Sequence, residues 1–290
     1  MLNFENIQTI CYLGPQSSFT EMAKDHFCEK YRINAYAQSF ETIKQVIEYV
    51  DNNPDSLGVL PVENSIKGTV KETLDNLMKT KNPNVKILAE HYLPINYCLL
   101  SKTTEIYSIT GLISTPENIA KCRTFIENEM PFNVNIIESA SVPEAARSLQ
   151  NYNLTYSSIG SPKTAETFNL NILKENLNDD KTDQTRYILI GDFETEETGN
   201  DKTSLAFSAV DKPGALLQIL NIFMKNGINL SYIASHPSNN QFGEYIMTVS
   251  IDGHIHEPLI IKTLHEIREK AKFMRFLGSY KKSRPIIPIR

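Results

Sequence analysis

A chain of 290 residues with 41% apolar side chains has enough material for two domains with cores of their own. Its net charge of -5, spread along the chain, excludes the strongly basic footprint of a nucleic-acid binder, and no apolar run is long enough to span a bilayer. The start Met1-Leu-Asn-Phe-Glu-Asn6 lacks a charged segment followed by an apolar core, and Cys11, Cys28, Cys98 and Cys122 form no Cys-x-x-Cys pair, so a cytoplasmic protein with reduced thiols is expected. His254 and His256 sit in a Gly-flanked polar loop without a cysteine or carboxylate cluster, which predicts exposed imidazoles and no metal.

In chain order, Thr9 to Leu13 reads as a strand that ends in Gly14-Pro-Gln-Ser-Ser18-Phe19, where Ser18 and Glu21 have the spacing of a capping box. A strand near Ile33 to Gln38 and a helix from Phe40 to about Asp51 follow. The apolar run Leu57, Val59, Leu60, Val62 then predicts a buried strand, and it stops at three polar residues, Glu63, Asn64 and Ser65. Thr69 and Glu72 are spaced as a second capping box, so the triplet is expected between a strand end and a helix start, with its side chains facing the crevice where open α/β sheets bind ligands. Strands at Val85 to Leu93 and Ile95 to Leu100, divided by Pro94, lead into a second lobe. There, strands ending at Ser114, Ile137 and Gly160 are each followed by Ser or Thr and then Pro within two residues: Thr115-Pro116, Ser141-Val-Pro143 and Ser161-Pro162. This lobe presents amide-rich helix starts, which suit a carboxylate ligand. Thr185-Arg186-Tyr187 opens a returning strand that is expected to complete the first sheet, so that two crossings join the lobes.

Residues 194–201 carry no apolar side chain and read as a linker. After it, strand, turn Asp211-Lys-Pro-Gly214, helix from Ala215, two strands, helix and strand give β-α-β-β-α-β. Leu216, Leu220 and Phe223 in the first helix, and Ile260, Leu264 and Ile267 in the second, predict one apolar face per helix against one sheet. There is no internal repeat.

Taken together these segments resemble prephenate dehydratase with a C-terminal ACT regulatory domain. The resemblance is carried by Gly58-Val-Leu-Pro-Val-Glu-Asn-Ser65 with Gly68-Thr69, by Thr185-Arg186-Tyr187 in the place of the family's Thr-Arg-Phe, and by Gly214-Ala215-Leu216-Leu217. It implies an α/β fold: a two-lobed, periplasmic-binding-protein-like catalytic region over about 8–193, with lobe 1 at about 8–93 and 185–193 and lobe 2 at about 98–178. A ferredoxin-like ACT domain follows at 202–280, then a tail at 281–290. It also implies decarboxylating dehydration of prephenate to phenylpyruvate in phenylalanine biosynthesis, with no cofactor, phenylalanine as effector, and a homodimer or homotetramer joined through ACT domains.

Thr185 is then the expected catalytic residue, with Glu63, Asn64 and Ser65 as hydrogen-bonding partners of the leaving oxygen. Arg186, Gly14, Ser18, Phe19, Thr69, Ser114, Thr115, Glu117, Ser141 and Tyr187 are the expected substrate-binding residues. Gly214, Ala215, Leu216, Leu217, Ser235 and Pro237 are the expected effector-binding residues. The chain departs from the family pattern at Ser17, Tyr97, Glu117, where a neutral amide is usual, and Asp183, where asparagine is usual. The family's Glu-Ser-Arg-Pro is here Ala234-Ser235-His236-Pro237. Two other readings stand beside this one: a prephenate decarboxylase that retains the ring hydroxyl, and a non-catalytic cytoplasmic sensor on the same scaffold.

Overall fold

A computed structural model describes residue 4 and residues 6–237 and 245–286. Lobe 1 contains β1 (Thr9–Leu13), α1 (Phe19–Tyr31), β2 (Tyr36–Phe40), α2 (Ile43–Asn52), β3 (Ser56–Asn64), the short β4 (Gly68–Thr69), α3 (Lys71–Leu77) and β5 (Lys86–Pro94). Lobe 2 contains β6 (Cys98–Ser101), β7 (Gly111–Ser114), α4 (Pro116–Lys121), α5 (Arg123–Asn128), β8 (Asn135–Glu138), α6 (Val142–Ser148), β9 (Tyr156–Gly160), α7 (Pro162–Phe168) and β10 (Asn171–Lys174). The chain then returns to lobe 1 as β11 (Gln184–Gly191), which inserts between β3 and β5 and runs antiparallel to both. The sheet orders are β2-β1-β3-β11-β5 and β10-β6-β9-β7-β8.

The three Ser/Thr-Pro helix starts form as read: Thr115, Ser141 and Ser161 each accept a hydrogen bond from a backbone N–H three residues on. Ser18 also caps α1, although the Glu21 carboxylate accepts from the Ser17 N–H at 2.5 Å rather than completing a capping box on Ser18. The Thr69 capping box does not form. Thr69 lies in β4, paired with Glu63, and α3 starts after Val70 with no side-chain cap. Pairing with the strand it follows wins over capping, because Gly68 at φ +77° turns the chain back onto β3.

The third unit runs β12 (Asp201–Ala209), α8 (Ala215–Lys225), β13 (Leu230–Pro237), β14 (Tyr245–Asp252), α9 (Pro258–Lys270) and β15 (Ala271–Lys281), in sheet order β13-β14-β12-β15. The expected start of β14 at Gly243 and the tail from 287 onward lie outside the described residues. Both helices cover one face, around Leu205, Phe207, Val249 and Ile251. In α9 the buried positions include Ile260, Leu264 and Ile267 as read, but α8 buries Ala215, Ile219, Ile222 and Phe223 and leaves Leu216 and Leu217 exposed. The helix is apolar on nearly every side, so periodicity alone does not fix its phase. The other face of the sheet rests on lobe 1, where Ala206, Leu277 and Tyr280 join Leu60, Val62, Ile188 and Ile190 in a single core. His254 is buried rather than exposed: its Nε2 lies 3.3 Å from Thr195 Oγ1 and its Nδ1 accepts from the His256 N–H. No helix among the described residues is long and apolar enough to cross a membrane, and no group of three metal-ligating side chains is found there.

Candidate active site

In the β3–β11 ladder Thr185 stands opposite Asn64 and Arg186 opposite Glu63, but the next pair is Tyr187 with Pro61, so Val62 is an extra residue in β3. Side chains alternate faces along a strand. This one bulge therefore puts Asn64 on the face of Thr185 and Tyr187, and turns Glu63 to the opposite face with Arg186.

Asn64 organises the Thr185 side. Its Nδ2 donates to Thr185 Oγ1 at 2.9 Å, to Asp183 Oδ1 at 2.7 Å and to the Gln184 carbonyl at 3.2 Å. Its Oδ1 accepts from the N–H groups of Ile66 and Lys67 at 3.0 and 2.8 Å. All polar atoms of the amide are thus engaged, which fixes its orientation. Thr185 is 6% exposed, and the Tyr187 phenol lies within hydrogen-bonding reach of Thr185 and Thr20. Ser65 braces the same strand start from outside: its Oγ donates to the Thr182 carbonyl at 2.9 Å and accepts from the Gln184 N–H at 3.0 Å.

From Asp183 a chain of charges runs across the cleft. Lys121 Nζ lies 3.1 Å from Asp183 Oδ2, 3.3 Å from Tyr97 OH and 3.5 Å from Glu117 Oε1. Lys67 of lobe 1 reaches Glu117 of lobe 2 at 2.6 Å, so this pair ties the two lobes together. The hydrogen bond from Lys67, with Lys121 beside it, holds the Glu117 carboxyl below its ordinary range. A cavity of about 540 Å³ opens next to this chain, lined by the first loop at Ser17, Ser18 and Phe19, by Tyr97 and by the helix starts at Thr115, Glu117, Ser141 and Ser161. Thr185 does not line it directly; Asn64, Asp183 and Lys121 connect Thr185 to its wall.

Five residues expected in the cleft point elsewhere. Glu63 and Arg186 pair with each other at 3.2 Å on the face toward the third unit, and Arg186 also donates to Glu90 at 3.2 Å and lies over the Tyr232 ring at 4.9 Å. The Thr69 hydroxyl is 2.8 Å from Tyr232 OH. Ser65 braces β11, as described above. Ser114 is fully buried at the end of β7 and its Oγ has no hydrogen-bond partner among the described residues. Gly14 approaches the Phe40 carbonyl and donates to it at 2.8 Å, which closes the turn ahead of Ser18. The two lysines, Lys67 and Lys121, were not singled out in the sequence. Their signals were present: Lys67 lies inside the Asn64 to Gly68 motif, and Lys121 is one helical turn from Glu117.

A prephenate dehydratase sequence profile matches residues 10–195, and an ACT domain profile matches residues 203–269. The chain belongs to the prephenate dehydratase family. It is 34% identical over 279 residues to the prephenate dehydratase of Methanocaldococcus jannaschii, covering 94% of this chain and 98% of that one. It is 35% identical over 283 residues to the bifunctional chorismate mutase/prephenate dehydratase of Aquifex aeolicus, covering 97% of this chain and 76% of that one. The crystal structure of the prephenate dehydratase from Arthrobacter aurescens in complex with L-Phe superposes with a TM-score of 0.80 at 29% identity, over 94% of this chain and 90% of that one.

For a prephenate dehydratase, the departures at Glu117 and Asp183 introduce two anions, and each meets an ammonium group: Glu117 meets Lys67 and Lys121, and Asp183 meets Lys121. Tyr97 is buried, with Lys121 over its ring at 5.4 Å and Phe19 edge-on at 5.4 Å. In the ACT domain, Gly214 caps α8 at φ +81° with no side-chain cap hydrogen bond, and Leu217 and Ser235 are exposed. His236, in place of the usual arginine, is buried and lies 3.1 Å from Asp75 of lobe 1.

Proposed function

We infer that this protein converts prephenate to phenylpyruvate, with loss of one carboxylate as carbon dioxide and of the ring hydroxyl as water. In our reading, Lys67 and Lys121 receive the substrate's carboxylates in the cleft, where they displace Glu117, and the adjoining helix starts supply further N–H donors. Thr185 donates a hydrogen bond to the departing hydroxyl. The observation that carries this assignment is the 2.9 Å contact in which the Asn64 amide donates to Thr185 Oγ1. With that oxygen already accepting, the hydroxyl proton is left to donate, and it can pass from Tyr187 to the leaving oxygen as negative charge builds there. As the ring carbon–oxygen bond breaks, the electron pair of the breaking carbon–carboxylate bond flows into the ring, the departing hydroxide takes up one proton from solvent to leave as water, and aromatisation drives the reaction downhill. Asp183 acts through Asn64, as a positioning group. Glu63, Ser65 and Arg186 act behind the strand rather than on the substrate.

The test is incubation of the purified protein with prephenate at neutral pH, with the product identified by NMR, beside Thr185→Ala. Phenylpyruvate from the wild type is expected, with kcat reduced at least about a hundredfold in the variant at nearly unchanged KM. A non-aromatic decarboxylated product would instead establish the decarboxylase reading, and unchanged kcat in the variant would remove Thr185 from the mechanism.

For regulation, the relative from Arthrobacter aurescens with bound L-Phe supports phenylalanine as effector. We place its carboxylate at the N-terminal end of α8, beside Gly214 and Ala215, and its ring against Leu216 and Leu217, with Ser235 and Pro237 of a second ACT domain closing the site in a cytoplasmic homodimer. Calorimetry with phenylalanine, run with light scattering, should give saturable heat from a dimer or larger species. Absence of heat and of any change in turnover rules this effector out.

A further inference from the structure

Behind β11, on the face opposite Thr185, a second cavity of about 290 Å³ lies between lobe 1 and the ACT domain. Two of its lining side chains, Arg186 and Lys202, are each only 4% exposed. They share one fully buried carboxylate: Arg186 donates to Glu90 at 3.2 Å, and Lys202 Nζ lies 2.8 and 3.0 Å from the two Glu90 oxygens. The Ser283 N–H also donates to Glu90 at 3.0 Å. Glu63, the second acid near Arg186, has a side chain 37% exposed and lies 3.2 Å from Nε but off its hydrogen-bonding axis, so the buried Nε–H makes no hydrogen bond. Lys282 is taken by Asp252 at 2.7 Å, and Arg284 stands exposed at the mouth. Around the cavity, then, the cations Arg186, Lys202, Lys282 and Arg284 face the carboxylates Glu63, Glu90 and Asp252.

Two buried cations share one buried carboxylate, and Glu63, the second acid on Arg186, is part-exposed and leaves the buried Nε–H without an acceptor, so the set is incomplete: a buried charge is stable only when it is paired and hydrogen-bonded. A planar guanidinium with an unused N–H fits a planar carboxylate, and the rings of Tyr92 and Tyr232 offer walls for a short apolar body. We propose that this interdomain cavity is a binding site for a small organic carboxylate, separate from both the substrate cleft and the start of α8. Its occupant completes the charge set of Arg186 and Lys202 and clamps the ACT domain onto lobe 1. It also bears on the residue next to Thr185 from behind. The site is therefore positioned to act as a second effector site, and its existence is independent of the catalytic reading, since binding is measured without turnover.

The experiment is isothermal titration of the full chain with malonate and with benzoate at constant ionic strength set by chloride, with inorganic phosphate as a third titrant. Arg284→Glu and Lys202→Met probe the cavity, and Lys67→Met probes the cleft. Expected is saturable binding of at least one carboxylate to the wild type and to Lys67→Met, weakened tenfold or more by Arg284→Glu. Lys202→Met should behave likewise where it folds, and the exposed Arg284 keeps the test decisive where it does not. The proposal is overturned by absence of saturable heat with either carboxylate, by unchanged affinity in Arg284→Glu, by loss of binding in Lys67→Met, which locates the anion in the cleft, or by phosphate binding in preference to both carboxylates.

Discussion

Glu117 illustrates how a single side chain changes the terms of binding here. It stands at the first turn of α4, where a negative charge is favourable for the helix, and it occupies both lysines that face the cleft. Held below its ordinary pKa by Lys67, it stays ionised across the neutral range and competes with a dianionic substrate for the same ammonium groups. Glu117→Gln should therefore lower KM for prephenate. An exposed pair contributes roughly 1 kcal/mol or less, so the expected gain is about two- to fivefold, with kcat nearly unchanged. Steady-state kinetics on the two proteins decide it, and a KM that rises would mean that Glu117 is needed to hold the lobes closed through Lys67.

At the scale of elements, the sequence carried most strands and the helix starts at Ser18, Thr115, Ser141 and Ser161, because Ser/Thr caps, Pro at the first turn and short apolar runs are local signals. What it did not carry was the bulge at Val62. The run Leu57 to Asn64 looks the same with or without one extra residue against β11, yet that residue decides that Asn64 rather than Glu63 meets Thr185. Strand alternation did imply that Thr185 and Arg186 face opposite ways; only the partner strands show which face is the cleft. Nor did the sequence reveal how α1 packs on β5, where His26 and His91 stack with ring centroids 3.5 Å apart. Burial, then the neighbouring His26, pushes the His91 pKa down to about 4 from an ordinary 6.5. A depressed histidine favours the folded state only while it is neutral, so this contribution is complete above about pH 6.5 and is lost as pH falls toward 4. Thermal midpoints measured from pH 7.5 to 4 should fall less steeply in His91→Phe than in the wild type. Parallel curves would show that the stacked pair titrates no differently in the folded and unfolded chains.

For the molecule as a whole, the question is whether the ACT domain is a separate body on a linker or part of one folded unit. The segment after β11 has the composition of a linker, but Thr195 Oγ1 donates to the Ser279 carbonyl at 2.6 Å and Thr198 Oγ1 to Asp201 at 2.6 Å, so it is held along its length. Arg275 of β15 donates to the carbonyls of Met78 and Thr80 at 2.7 and 3.1 Å, and Tyr280 and Leu277 complete a core begun by lobe 1. The tightest approach is at Gly278, with φ +137°, where an added Cβ would lie 2.2 Å from the Ile87 carbonyl oxygen and 2.8 Å from its nitrogen. Backbone on both sides leaves nothing to yield, and the φ is itself strained for any other residue. Gly278→Ala should cost about 3 kcal/mol or more, through strain and the loosening of this contact. Because the buried surface spans both domains, the wild type should unfold in one calorimetric transition, and the variant should either melt as one unit at a markedly lower temperature or split into two transitions as the ACT domain comes free. Two transitions in the wild type itself would mean that the shared core does not couple the domains, and that a signal from the ACT domain must reach Thr185 by another route than the sheet contact through β15 and β5.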